Sequence, residues 1–188
     1  MLEEIGNPYQ HVPITPYTES RQPDYLRINP NGHIPTLDDD GLILWESLAI
    51  NLYLAEKYAT PPLWPAQIQH RARAYQWSLW AANEIEPQIL QIAKGLSKKS
   101  PNPDAVTSGL DQLAFAFDVL ETALGGYTYL SGEDFSVADL NLASTIREPG
   151  EQGVAGIGEI DLAPFAKVSA WLDRCGDRPA NRRVAALP

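Results

Sequence analysis

A run of thirty residues, from Asn29 to Tyr58, constrains the fold of this chain more than any other segment. Residues 34–37 and 42–45 are predicted as two short strands, joined through an Asp-Asp-Asp-Gly turn. Ser47 then begins an apolar helix. The run therefore predicts strand, turn, strand and helix, with the start of the helix facing whatever lies beside Pro35.

The Ile34–Pro35 bond lies at the start of this predicted hairpin. In the cis form, the backbone N–H and C=O of Ile34 would point outward, free to pair with an extended ligand as an added strand would. Only about 5 to 6% of X-Pro bonds in folded proteins are cis, so a trans proline at the start of an edge strand is the alternative. The bond alone leaves both open.

Glu46 and Ser47 stand at the start of the predicted helix. A helix N-terminus offers unpaired N–H groups and a partial positive charge to a carboxylate, while Glu46 supplies the opposite charge for an ammonium group. An α-amino acid head group carries both charges. Ser47 can instead be a plain N-cap, but Ile50 follows three residues later, so no reciprocal capping box forms. The pair predicts a site for a small peptide-like anion.

The run resembles the glutathione-binding half of the soluble glutathione transferases, whose first domain is thioredoxin-like. The resemblance implies that Ile34, before a cis Pro35, pairs its backbone with the cysteinyl part of glutathione. It also implies that Glu46 and Ser47 grip the γ-glutamyl end. Glutathione is then the co-substrate, and no metal is expected.

Two weaker matches are His33 and Arg21, whose positions in that family lie near the glycyl carboxylate of glutathione. Each can instead be an ordinary solvated side chain. The catalytic Tyr, Ser or Cys of the family has no match here. Residues 1–14 resemble the end of the family's first helix and its second strand, so the first strand and the catalytic loop are missing. We expect the catalytic residue to lie upstream of Met1, in a longer natural product.

A segment with three prolines in eight residues, 60–67, predicts a linker between two domains. Residues 1–59 form the predicted thioredoxin-like α/β domain, incomplete without its first strand. Residues 68–188 are helical in pattern and form the predicted all-α bundle. This order is the glutathione transferase architecture.

Apolar stripes at helical spacing predict two packed helices, over residues 70–92 with a kink at Pro87, and over residues 104–124. Ser136 and Asp139 have capping-box spacing and resemble the start of the capped buried helix in the family's second domain.

Several other features favour structural roles. Cys175 lies on the apolar face of a predicted helix, which indicates a core position. The aromatic residues Tyr75, Trp77 and Trp80 are expected in the core or at a subunit interface, with substrate contact as the alternative. The glycine-rich stretch of residues 149–160 has no strand before it, so a mobile connection is expected in place of a phosphate loop.

Charge and composition exclude several classes. A formal net charge of −10 argues against nucleic-acid binding. No apolar run approaches the roughly 20 residues of a membrane span, and no secretion signal is evident at the N-terminus. One cysteine and three scattered histidines indicate neither an internal disulfide nor a metal site, which favours the cytoplasm.

The resemblance implies a homodimeric detoxification enzyme that conjugates the thiol of glutathione to small hydrophobic electrophiles. One alternative is a glutathione-binding carrier of the same fold without turnover. Another is a glutathione-dependent thiol reductase or dehalogenase, which would need a Cys in the missing loop.

Overall fold

The computed structural model describes residues 1–60, 62–97, 99–147 and 160–184, without the side chain of Arg147. The chain divides into two units, residues 1–60 and 61–188. The connection predicted over residues 149–160 lies outside the described residues, apart from Ile160.

The first unit holds a small sheet and short helices. Its elements are α1 (Leu2–Ile5), a 3₁₀ turn (Glu19–Arg21), α2 (Pro23–Leu26), β1 (Thr36–Asp39), β2 (Leu42–Trp45) and α3 (Ser47–Tyr58). The strand predicted within residues 1–14 is absent from the described structure. Among the described residues, strands β1 and β2 pair only with each other, so neither pairs with this segment. A strand forms only where a neighbour takes up its backbone hydrogen bonds.

The β1–β2 hairpin differs in detail from its prediction. Strand β1 begins two residues later than expected and continues through Asp39, which pairs with Leu42 in an antiparallel register. The turn therefore contains only Asp40 and Gly41, with φ of 55° and 88°. Two residues with positive φ are what a type I′ hairpin requires, and Asp-Gly favours it. The four-residue acidic turn predicted from the sequence was wrong, because two of its aspartates belong to the strand.

Asp39 fixes the hairpin to helix α3. Its carboxylate accepts hydrogen bonds from Lys57 Nζ at 2.8 Å, Tyr58 Oη at 2.7 Å and Tyr53 Oη at 2.8 Å. These bonds, that from Lys57 first, lower the pKa of Asp39 to about 2. The same pairing raises the pKa of Lys57. Asp39 is thus ionised at neutral pH and joins β1 to α3.

The second unit is helical in the described residues. Its helices are α4 (Ile68–Trp80), α5 (Glu86–Gly95), α6 (Pro103–Ala123), α7 (Val137–Arg147), α8 (Ala166–Gly176) and α9 (Pro179–Val184). Between α4 and α5 the helix continues through a π-helical segment, Ala81–Ile85. Pro87 follows and has no N–H for the carbonyl of Asn83, so the hydrogen-bond spacing widens before it. The irregularity predicted at Pro87 takes this form.

The predicted apolar stripes form the core of the second unit. The buried members are Ala74, Trp77, Ala81, Ile85, Ile92, Leu113, Phe117, Leu120 and Leu124. Cys175 is also buried, which confirms its predicted core position. Of the three aromatic residues on α4, Trp77 lies in the core. Tyr75 is exposed, and its ring packs edge-to-face with the Trp64 ring.

A capping box begins helix α7, as predicted. The N–H of Ser136 donates to the Asp139 carboxylate at 3.0 Å, and the Ser136 hydroxyl oxygen accepts from the N–H of Ala138 at 3.3 Å. The Asp139 carboxylate also accepts from the N–H of Leu130 at 2.8 Å and from Trp171 Nε1 at 2.9 Å. Burial raises the pKa of Asp139, although these hydrogen bonds oppose the shift.

Candidate functional site

The strand register brings the predicted site residues to one end of the hairpin. Thr36 pairs with Trp45, so the next residues outward, Pro35 and Glu46, flank the end of the ladder. The Ile34–Pro35 peptide bond is cis, which is the first of the two alternatives left by the sequence. The backbone N–H and C=O of Ile34 form no hydrogen bond within the described residues.

Glu46 and Ser47 occupy the start of α3 differently from the N-cap alternative. Glu46 is the N-cap residue, and its carbonyl accepts from the N–H of Ile50 at 2.9 Å. Ser47 is the first helical residue, so its hydroxyl does not cap the helix. Both side chains are exposed, and neither has a hydrogen-bond partner among the described residues. The helix start therefore presents a carboxylate and a hydroxyl to solvent.

The backbone of Glu46 adopts an uncommon conformation, with φ of 74° and ψ of 108°. A non-glycine residue at positive φ costs about 1–3 kcal/mol and persists only where the surroundings impose it. Here the ladder ends at Trp45 and the helix begins at Ser47, so one residue makes the whole reversal. The residue with the strained backbone is thus the one whose carboxylate belongs to the predicted site.

A cavity of about 220 Å³ lies between strand β1 and helix α3. It is lined by Met1, Leu2, Pro35, Thr36, Leu37, Ser47, Ile50, Asn51 and Leu54. Two predicted residues, Pro35 and Ser47, line this cavity together, whereas Ile34, Glu46, His33 and Arg21 do not. The sequence analysis missed Asn51 as a polar lining residue, although its i+4 spacing from Ser47 places both on one helix face.

The two weaker candidates lie in the loop before β1. The His33 imidazole is exposed and has no partner among the described residues. The Arg21 guanidinium donates to the carbonyl of Asn31 at 2.8 Å and lies against Gly32, where an added Cβ would approach Arg21 Nη1 to 2.9 Å. Gly32 has φ of +62°, so a side chain there would be both strained and crowded.

Two family models match the chain. The model described as glutathione S-transferase, N-terminal domain, matches residues 1–56, and the C-terminal domain model matches residues 85–179. This chain belongs to the glutathione S-transferase family. The predicted glutathione transferase fold and enzyme class are thereby confirmed at the level of the family.

Two curated relatives align along the whole length of this chain, and a solved structure aligns along most of it. Glutathione S-transferase GstB from Escherichia coli strain K12 is 31% identical over 193 residues, covering 100% of this chain and 90% of the relative. Glutathione S-transferase 3 from Zea mays is 34% identical, covering 100% of this chain and 87% of the relative. The theta class glutathione S-transferase structure from Xanthomonas axonopodis pv. citri, with glutathione bound, is 29% identical with a TM-score of 0.83. The match covers 97% of this chain and 86% of the chain in that structure.

The described residues contain no group of three or more His, Cys, Asp or Glu side chains placed to hold a metal ion. None of the described helices combines the length and the apolar character that a membrane span requires.

Proposed function

We propose that this glutathione S-transferase chain binds glutathione through the backbone of Ile34, beside Pro35, and through Glu46 and Ser47. The bound thiol is conjugated to a small hydrophobic electrophile. The observation that carries the proposal is that the side chains of Glu46 and Ser47 are exposed and have no hydrogen-bond partner among the described residues. Glu46 directly follows the end of the β1–β2 ladder, and Pro35 directly precedes it.

The charges at the start of α3 fit the γ-glutamyl end of glutathione. The Glu46 carboxylate attracts the ammonium group, and the Ser47 hydroxyl donates to the α-carboxylate. The N–H groups of Ser47 and Ala49 have no acceptor among the described residues, and they carry the partial positive charge of the helix terminus. One residue pair thus matches both charges of the head group.

The backbone of Ile34 fits the cysteinyl part of the tripeptide. Its N–H and C=O have no partner within the described residues, so an extended peptide can pair with both as an added strand does. The exposed imidazole of His33 and the remaining donors of Arg21 are then proposed to face the glycyl carboxylate. Arg21 uses one N–H on the Asn31 carbonyl, which steadies the loop that would carry this contact.

Placing glutathione contributes at least as much as acidifying its thiol. Lowering a thiol pKa from about 8.5 to roughly 6.5 raises the thiolate fraction at neutral pH about 25-fold. The weaker nucleophilicity of the more acidic thiol returns roughly eightfold of that gain, which leaves about threefold. Holding thiolate and electrophile together contributes several kcal/mol more. The proposed binding residues therefore matter to the rate as well as to affinity.

Substitution of Glu46 by glutamine tests the site. Glu46→Gln keeps the shape but removes the charge that attracts the ammonium group. We expect the dissociation constant for glutathione, measured by calorimetry, to rise about tenfold, which is about 1.4 kcal/mol. Glu56→Gln is the matched control, because Glu56 is an exposed carboxylate on the same helix without a hydrogen-bond partner in the described residues.

Equal affinity in wild type and Glu46→Gln would contradict the assignment of Glu46, and the absence of any glutathione binding in the wild type would contradict the whole site. Turnover is tested separately with an aryl halide. Binding of glutathione without conjugation would favour the carrier alternative.

Three further proposals concern the setting of this activity. A homodimer is supported by the apolar side chains of Tyr75 and Leu79, both exposed on helix α4. The cytoplasm is supported by a single buried cysteine, Cys175, in a chain that cannot form an internal disulfide. The domain boundaries 1–59 and 68–188, with the linker 60–67, remain a proposal from the proline-rich composition.

A further inference from the structure

The carbonyl oxygen of His33 accepts hydrogen bonds from two side chains. The Tyr25 hydroxyl donates to it at 2.7 Å, and the Asn29 amide donates through Nδ2, also at 2.7 Å. Tyr25 is 7% exposed and Asn29 is 1% exposed, so water competes little for these bonds. A carbonyl oxygen has two lone pairs, and both are used here.

Thr36 closes these contacts into a ring. Its Oγ1 lies 2.8 Å from the Tyr25 hydroxyl and accepts from Asn29 Nδ2 at 3.2 Å. Because the single Tyr25 proton is donated to the carbonyl of His33, the Thr36 hydroxyl must donate to the Tyr25 oxygen. Each donor in the ring therefore has a defined acceptor. The ring ties the loop before Pro35 to the first residue of strand β1.

The direction of the Ile34 N–H follows from this ring. The peptide bond between His33 and Ile34 is trans, so its planar geometry sets the N–H antiparallel to the carbonyl. With the His33 carbonyl directed at Tyr25 and Asn29, the Ile34 N–H points away from both. The ring thus determines where a hydrogen-bond donor for the ligand is presented.

We infer that Tyr25 and Asn29 are positioning residues for glutathione, because they aim the Ile34 N–H at its cysteinyl part through the shared peptide plane. The inference rests on the proposed function. Neither side chain needs to touch glutathione. Loosening the His33 carbonyl lets the peptide plane rotate, so the cost appears in binding of glutathione and not in binding of the electrophile.

Tyr25→Phe is the direct test, since it removes one of the two donors to the His33 carbonyl and keeps the aromatic side chain of residue 25. One hydrogen bond corresponds to a factor of about two to tenfold. We expect the KM for glutathione and its calorimetric Kd to rise about three- to tenfold. The KM for the electrophile and kcat at saturating glutathione should stay within about twofold. Thr36→Val should weaken glutathione binding to a similar extent. Thr36→Ser, which keeps the hydroxyl, should bind glutathione with wild-type affinity.

Tyr58→Phe is the matched control, because its hydroxyl bonds Asp39 in the same unit and not the His33 carbonyl. The inference requires Tyr58→Phe to retain wild-type affinity. It is overturned if Tyr58→Phe weakens glutathione binding as much as Tyr25→Phe, since the effect is then general destabilisation. A wild type that binds glutathione, with an unchanged Kd in Tyr25→Phe, overturns the inference alone. A wild type that does not bind glutathione overturns the proposed function and this inference together.

Discussion

Replacing Ser47 with alanine should separate ligand binding from folding. The Ser47 hydroxyl is exposed, does not cap α3, and has no partner among the described residues. Its removal therefore breaks no hydrogen bond within the described part of the chain. Alanine is the better helix former by about 0.5 kcal/mol, so the free energy of unfolding should change by no more than about that amount.

Unlike the free energy of unfolding, the affinity for glutathione should fall strongly in Ser47→Ala. If the Ser47 hydroxyl donates to the γ-glutamyl carboxylate, the lost bond is one to a charged group, which contributes about 1.5–3 kcal/mol. That range corresponds to about a tenfold to hundredfold rise in Kd. The half-saturating concentration of glutathione in turnover should rise by at least about tenfold as well.

Two measurements on each protein decide the outcome. Calorimetric titration with glutathione gives Kd, and urea unfolding gives the free energy of unfolding. Ser108→Ala is the control, because it removes an exposed helical hydroxyl of α6 that also has no partner in the described structure. A Kd for Ser47→Ala within about threefold of the wild type would refute the site. A loss of stability above about 1 kcal/mol would show that the hydroxyl serves folding.

Two further predictions concern stability. Asp39→Asn should be less stable than the wild type at neutral pH. Since hydrogen bonds lower the folded pKa of Asp39 to about 2, the carboxylate stabilises the fold above about pH 4 and loses this effect as the pH falls further. The difference in urea midpoint should therefore shrink with acidification, and a constant difference would contradict this. Phe117→Ala should lower the free energy of unfolding by about 3–5 kcal/mol, because Phe117 is fully buried against the Phe165 ring at 5.5 Å; circular dichroism in urea measures this, and a change below about 1 kcal/mol would refute it.

Periodicity and turn chemistry predicted the hairpin, the helix after it and the packed helices of the second unit from local sequence, whereas the fold class came from the resemblance. The apolar stripe through Leu113, Phe117 and Leu120 predicted a buried helix face, because side chains three to four residues apart share one face. The Asp40–Gly41 turn was within the predicted turn, but the strand that precedes it was misplaced. Aspartate is a poor strand former, and Asp39 is held in β1 by partners 14 to 19 residues away that no local pattern shows.

The candidate site was also predicted only in part. Ile34, Glu46 and Ser47 were identified through a resemblance that matches short motifs, and their placement as a ligand site stays a prediction. The hydrogen bonds from Tyr25 and Asn29 to the loop before Pro35 were not predicted. Tyr25 reaches the carbonyl of His33 eight residues later only after the loop has closed. Such a ring depends on tertiary geometry, whereas the sequence around Asn29 indicated only a turn.

The shared carboxylate at the start of α7 has a consequence for how the helical unit comes apart. Asp139 receives donors from the preceding loop, from the start of its own helix and from the indole of Trp171 on α8. Detaching α8 alone would leave the buried Asp139 carboxylate without the Trp171 donor, and leaving a buried hydrogen-bonding group unsatisfied costs about 1–3 kcal/mol. Helix α8 is therefore expected to melt together with the start of α7 in one cooperative step.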